Sequence, residues 1–152
     1  MEDKTIDVLN TQNYTISVSS AFSTFADGSS GNVVYYSIKN KTSSVINLTI
    51  SDCFLINLNG EQIFPTSTLN GYDFDLGSVF ANCSRKGSKI FDSTICSYIN
   101  DGFKFCITVE DSSNDYLITY VFIKKNNGWV LKTYRYKFTN FALNRRKREH
   151  LL

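Results

Sequence analysis

The sequence predicts an all-β protein folded as an antiparallel β-sandwich, with a small antiparallel β-barrel as the alternative. Three observations support this. Apolar and polar residues alternate over short runs separated by turn residues, as half-buried strands require. Residues 116–138 read YLITYVFIKKNNGWVLKTYRYKF, two aromatic and β-branched runs around Lys-Asn-Asn-Gly. Asn-Gly supplies the positive φ angles of a tight hairpin turn, so this stretch predicts a β-hairpin. Finally, no segment keeps a 3.6-residue apolar period over three turns; the tail 140–152 (NFALNRRKREHLL) comes nearest, and its apolar positions are too sparse for a packed helix.

The elements follow in order. Tyr14, Ile16 and Val18 alternate with Thr15 and Ser17, a first strand. Ala21 to Gly31 is small, polar and Gly-bearing, and is expected to be a loop. Asn32 to Ile38, apolar on both faces, predicts a central strand, and Asn40 to Ser44 a turn. Val45–Ile50 and Cys53–Leu58 are expected as separate strands, the second turning at Asn59-Gly60 into Glu61–Phe64. Pro65 to Gly77 loses all period and is expected as loop; a short strand near Val79–Ala81, a polar turn at Ser84–Ser88 and a strand at Lys89–Phe91 follow. Phe103–Glu110 places Phe103, Phe105, Ile107 and Val109 on one face, and Asp111–Asp115 forms its turn. In the hairpin, Tyr134, Tyr136 and Phe138 oppose Arg135 and Lys137, with Val130 expected on the aromatic side. Eight or nine short strands of this kind make the sandwich immunoglobulin-like in broad class. Residues 1–139 are read as one domain and 140–152 as a basic, flexible tail.

Composition narrows the function. Hydrophobic residues make up 42% of the 152, with 12 Phe and 9 Tyr, enough for a core without metal or disulfide staples. Charged residues are 20% and the net charge is +2, too little for a chain-wide nucleic-acid field. No apolar run is long enough to span a bilayer. The N-terminus, MEDKTIDVLNTQ, has no apolar signal region, so a chain retained inside the cell is expected, with an exported chain trimmed of its leader as the alternative. Cys53, Cys83, Cys96 and Cys106 contain no Cys-x-x-Cys spacing, which argues against a zinc knuckle and leaves buried thiols and two disulfides both open. Cys106 shares a face with Lys104, Thr108 and Glu110, the wetter side of its strand. Sequons begin at Asn13, Asn40, Asn47 and Asn82, a number that chance yields in a chain rich in Asn, Ser and Thr.

The segment NVVYYSIKNKTSSVINLTISDCFLINLNGEQIF, residues 32–64, runs strand, Asn-Lys-Thr turn, strand, then Phe-x-Ile followed by Asn-Gly. In that order it resembles the telokin-like, DUF4352-type immunoglobulin-like domains of bacterial cell-envelope proteins. There a strand ends at an Asn-containing turn and a Phe-x-Leu-x-x-x-x-Gly strand follows. The resemblance implies an envelope location and supplies no catalytic residues. This chain is expected to depart from it in having no lipoprotein leader, and it differs in its aromatic C-terminal hairpin.

Candidate chemistry is sparse. The single histidine, His150, lies in the tail, where it has no rigid frame for a Ser-His-Asp or Cys-His site. Asp73 and Asp75 share a side of Tyr72-Asp-Phe-Asp-Leu76, as a carboxylate pair for glycoside hydrolysis or a Ca²⁺ or carbohydrate site would, although an ordinary surface edge has the same pattern. Gly28, Gly31, Gly60 and Gly71 stand alone, so no phosphate loop is formed. Arg145, Arg146, Lys147 and Arg148 are the densest charge, fit for an anionic polymer such as nucleic acid or simply for solubility. The expectation is therefore a non-enzymatic interaction module without cofactor. It would bind a macromolecule, a protein foremost, through the loops 21–31 and 66–77 or a sheet face, with Tyr72 and Phe74 as anchors.

Overall fold

The computed structural model describes residues 6–7, 13–67, 76–112 and 116–138, with side chains described in these ranges except at 6, 7, 76, 116 and 135–138. The described residues form ten strands: β1 (Ile6–Asp7), β2 (Tyr14–Thr24), β3 (Ser30–Asn40), β4 (Ile46–Ile56), β5 (Gln62–Ile63), β6 (Leu76–Val79), β7 (Ser84–Asp92), β8 (Lys104–Asp111), β9 (Tyr116–Lys125) and β10 (Gly128–Phe138). They make two antiparallel sheets, β1-β2-β3-β7 and β10-β9-β8-β4-β5, with β6 also on β4. The sheets stay separate, so the sandwich is correct and the barrel is not.

The core lies between them and follows from the period-two pattern. Ile16, Val18, Val34, Tyr36 and Ile38 of the first sheet face Leu48, Leu55, Phe105, Ile107, Val109, Tyr120 and Phe122 of the second, all buried. Tyr36 stacks on Phe105 at 6.5 Å, and Phe105 meets Trp129 edge-on at 6.2 Å. Each such aromatic contributes roughly 2–3 kcal/mol through removal of its surface from water. Trp129 also donates its indole N–H to Ser20 Oγ at 2.9 Å, joining the edge of one sheet to the edge of the other.

Several sequence boundaries need correction. The expected loop at 21–31 shrinks to 25–29, because Ala21–Thr24 and Ser30–Gly31 continue β2 and β3 in unbroken register. The two strands expected at Val45–Ile50 and Cys53–Leu58 are one, β4 (Ile46–Ile56), in which an extra residue at Ser51 makes a bulge instead of a break, while Val45 and Leu58 lie outside it. Ser84–Ser88 is strand and no turn: it pairs with β3 throughout, and Gly87 lies where a Cβ would run into the Tyr36 ring. The short strand near Val79–Ala81 ends at Val79. The hairpin turn is shifted by one residue. Asn126-Asn127 forms it, Asn126 takes the positive φ (56°), and Gly128 opens β10 opposite Lys125. A second bulge, at Lys132, changes the parity of β10, so Val130 pairs with Ile123 while Tyr134 pairs with Tyr120. Val130 and Tyr134 therefore lie on opposite faces.

Candidate functional site

The loops 25–29, 57–61 and 93–103 and the turn 126–127 converge at one end of the sandwich. Apolar side chains are left in solvent there: Phe22 is 43% exposed, Ile95 45%, Tyr98 58% and Leu58 62%. Phe22 occupies the inward-facing parity of β2, but at the end of the sheet it has no opposing strand. It packs instead on Tyr98, ring centroids 5.7 Å apart. Beside Tyr98 a hollow of about 450 Å³ is lined by Ile99, Asn100, Asp101, Lys124, Asn126 and Asn127.

This surface is held rigidly. Asn32, buried on β3, donates its amide to Cys96 O at 2.9 Å and accepts from Ile99 N at 3.2 Å. One side chain thus fixes both sides of the segment that displays Tyr98. The hairpin turn is tied to the same loop: Asn126 N donates to Asp101 Oδ2, Gly102 N to Lys124 O and Lys124 N to Phe103 O. Lys124 Nζ donates to Asn126 O at 3.0 Å and stands 6.0 Å from the Trp129 ring centre. Gly102 adopts φ +96°, a conformation side chains avoid, and a Cβ there would meet Leu58. In the 25–29 turn Asp27 accepts from Ser29 N and Oγ, and those bonds hold its carboxyl below its ordinary pKa.

Cys96, within the 93–103 loop, is buried, and desolvation pushes its pKa up, away from the nucleophilic thiolate. Asp92 and Asp101 serve as acceptors for Thr94 N and Asn126 N within the loops. Among the described residues no three His, Cys, Asp or Glu side chains are grouped to hold a metal ion, and no helix is long and apolar enough to cross a membrane.

Of the side chains singled out from sequence, Tyr72, Asp73, Phe74 and Asp75, and Arg145, Arg146, Lys147 and Arg148, lie outside the described residues. All four cysteines carry thiols, Cys83 exposed and the other three buried. Cys106 is only 3% exposed, so its face of β8 is drier than its charged neighbours imply. Cys53 and Cys106 occupy opposite faces of the sheet, since Cys53 pairs with core residue Ile107 and Cys106 with Phe54. The sequon Asn40 is consumed structurally: its buried amide donates to Ser44 O and Val79 O and accepts from Thr42 N and Oγ1. A larger hollow of about 520 Å³ crosses the outer face of the four-stranded sheet, lined by Ser17, Ser19, Tyr35, Ser37 and Lys86. None of the strongly exposed large apolar side chains lines it. Sequence reasoning missed Tyr98, Phe22 and Asn32. The signal for Asn32 is an amide at an inward position of a strand otherwise apolar on both faces.

No family model matches the chain, and no curated protein matches it in sequence. Two solved structures are similar to this chain. One is a FixG-related protein from Vibrio parahaemolyticus, 19% identical, with 73% of this chain and 97% of that one covered at a TM-score of 0.40. The other is Northeast Structural Genomics Consortium target SoR45, 11% identical, with 85% and 88% covered at a TM-score of 0.38. At those scores the likeness carries no argument about activity.

Proposed function

We propose that this chain is a non-enzymatic interaction module, immunoglobulin-like in broad class, that receives a protein partner on the loop end of the sandwich. The observation that carries this reading is the Phe22–Tyr98 pair. Phe22, at the end of β2, packs on Tyr98 of the 93–103 loop; both rings are about half exposed, and Asn32 pins that loop from beneath. Exposed aromatics on a stiff frame supply contact area at little entropic cost on binding, the property that anchors protein interfaces. Asn100, Asp101, Asn126, Asn127 and Lys124 around the hollow provide the polar rim.

The test compares immobilised wild-type protein with a Phe22→Ser/Tyr98→Ser variant, each offered an extract of the native host. A partner retained by the wild type and lost by the variant, with both melting at the same temperature, supports the reading. Equal retention by both overturns it.

A further inference from the structure

We propose that the outer edge of β10 accepts an extended polypeptide segment in which acidic residues alternate with apolar ones. Among the described residues β10 is hydrogen-bonded on one side only, to β9, and it ends the six-stranded sheet. Its backbone donors and acceptors on the other side form a template for one more strand.

The charge of this edge selects the strand. Residues 116–138 contain Lys124, Lys125, Lys132, Arg135 and Lys137 and no Asp or Glu. Past the Lys132 bulge, Thr133, Arg135 and Lys137 take register positions opposite Val121, Thr119 and Leu117, the outer parity. Tyr134, Tyr136 and Phe138 fall opposite Tyr120, Ile118 and Tyr116, the core parity. An added strand pairing there would alternate between the register positions of Thr133, Arg135 and Lys137 and those of Tyr134, Tyr136 and Phe138. Tyr134 shows what the second set would cover: its ring packs 6.5 Å from buried Tyr120, yet 38% of the residue is exposed. The hydrophobic layer reaches the edge unfinished.

A second copy of this chain is the wrong occupant. Two β10 edges pairing would bring Lys132, Arg135 and Lys137 of both copies to a strand spacing of ~4.8 Å, where like charges repel. The residues that follow β10 in the sequence, with Arg145–Arg148, are basic as well. By contrast, the Ser17–Thr24 stretch of β2 carries no charge and offers no such preference. The cations that oppose self-pairing are the ones that favour an acidic strand.

The experiment uses full-length protein and three labelled ten-residue peptides: Glu alternating with Val, five Glu followed by five Val, and Lys alternating with Val. Binding is read by fluorescence anisotropy, and β10 by amide exchange. The alternating acidic peptide is expected to bind about tenfold tighter than its block isomer, from a few cross-strand charge pairs. It should also slow exchange in β10, and Arg135→Glu/Lys137→Glu should transfer the preference to the Lys-Val peptide. Equal binding of the two acidic isomers would reduce the effect to bulk charge attraction and overturn the proposal, as would no binding at all. Concentration-dependent association of the protein alone, with slowed β10 exchange, would assign the edge to a second copy. Because the peptide comparison is made on wild-type protein, misfolding of the charge-reversed variant cannot rescue a negative result. The loop-end reading is independent, since Phe22 and Tyr98 take no part in this binding.

Discussion

Asn32 and Asn40 lie on the same strand, face the same side and are both buried, yet they organise opposite ends of the sandwich in different ways. Asn40 works mostly on its own neighbourhood. Its carbonyl accepts from Thr42 N and Oγ1, its amide donates to Ser44 O, and one remote bond reaches Val79 O. The result is a short closed turn of the Asx type. Asn32 makes remote bonds, to Cys96 O and Ile99 N across more than sixty residues of sequence. It holds a long loop open in one shape, and that loop shows Tyr98 and Ile95 to solvent. One amide terminates structure; the other exports it. The difference teaches that a buried polar group can be spent on closing a turn or on pre-ordering a long loop; apolar side chains are exposed at both ends, Val45 and Phe80 at the first and Ile95 and Tyr98 at the second.

The largest effect expected is at Asn40. Asn40→Ala removes four hydrogen bonds and leaves the Val79 carbonyl and the Thr42 amide to find new partners, for a loss of about 3 kcal/mol in denaturant unfolding. A loss below about 1 kcal/mol would mean that water replaces these bonds and the end is wetter than its burial implies. Asn32→Ala should cost about 2 kcal/mol, with faster amide exchange at Ile99 and protease nicking within 93–103. Asn40→Ala should leave Ile99 exchange unchanged relative to global stability. If both variants loosen the 93–103 loop alike, the two ends are one cooperative unit and the contrast fails.

Much of the fold was legible because strands buried on one side record it directly. The Phe105, Ile107, Val109 face of β8 and the central position of β3 both come from side-chain alternation. The misreadings share a physical cause. At Ser51 and Lys132 a single extra residue shifts parity without ending the strand, and bulges have no composition of their own. At Gly87 a glycine that admits the Tyr36 ring has the same letter as a glycine that turns the chain. The loop end was hidden for another reason. Phe22 lies in a polar run and Tyr98 in an irregular one, and only the fold puts their rings 5.7 Å apart. The readings placed on Asp73, Asp75 and Arg145–Arg148 concern positions outside the described residues.

The Asn40 end holds a second contrast. Tyr14, opposite Asn40 in register, meets Tyr120 edge-on at 6.5 Å, and neither hydroxyl finds a partner with hydrogen-bond geometry. Tyr120→Phe should therefore stabilise the protein by about 1 kcal/mol at neutral pH, by removing a buried unsatisfied oxygen. Burial raises both phenols above the ordinary value of 10.0, and the nearby Asp111 carboxylate acts in the same direction. The folded form thus holds these protons more tightly than the unfolded chain. The associated stability is complete below pH 10 and is lost as the pH climbs above it. Tyr120→Phe should flatten that alkaline decline in a melting-temperature series. An unchanged decline would assign it to tyrosines elsewhere.

The smallest expected effect discriminates most sharply. At the loop end, Phe22→Ser with Tyr98→Ser removes two large rings, yet both residues are already about half exposed. If the pair belonged to the core, its loss would cost several kcal/mol, as aromatic-to-small core changes do. If the pair is a surface held up for a partner, the change should stay within about 0.5 kcal/mol, because little buried area is lost and no polar group is stranded. Exchange at Ile99 should then remain slow, since Asn32 and not the rings fixes the loop. A large loss with a loosened loop would make Phe22 and Tyr98 a cap on the core, and the two ends of β3 would differ in length of loop but not in purpose.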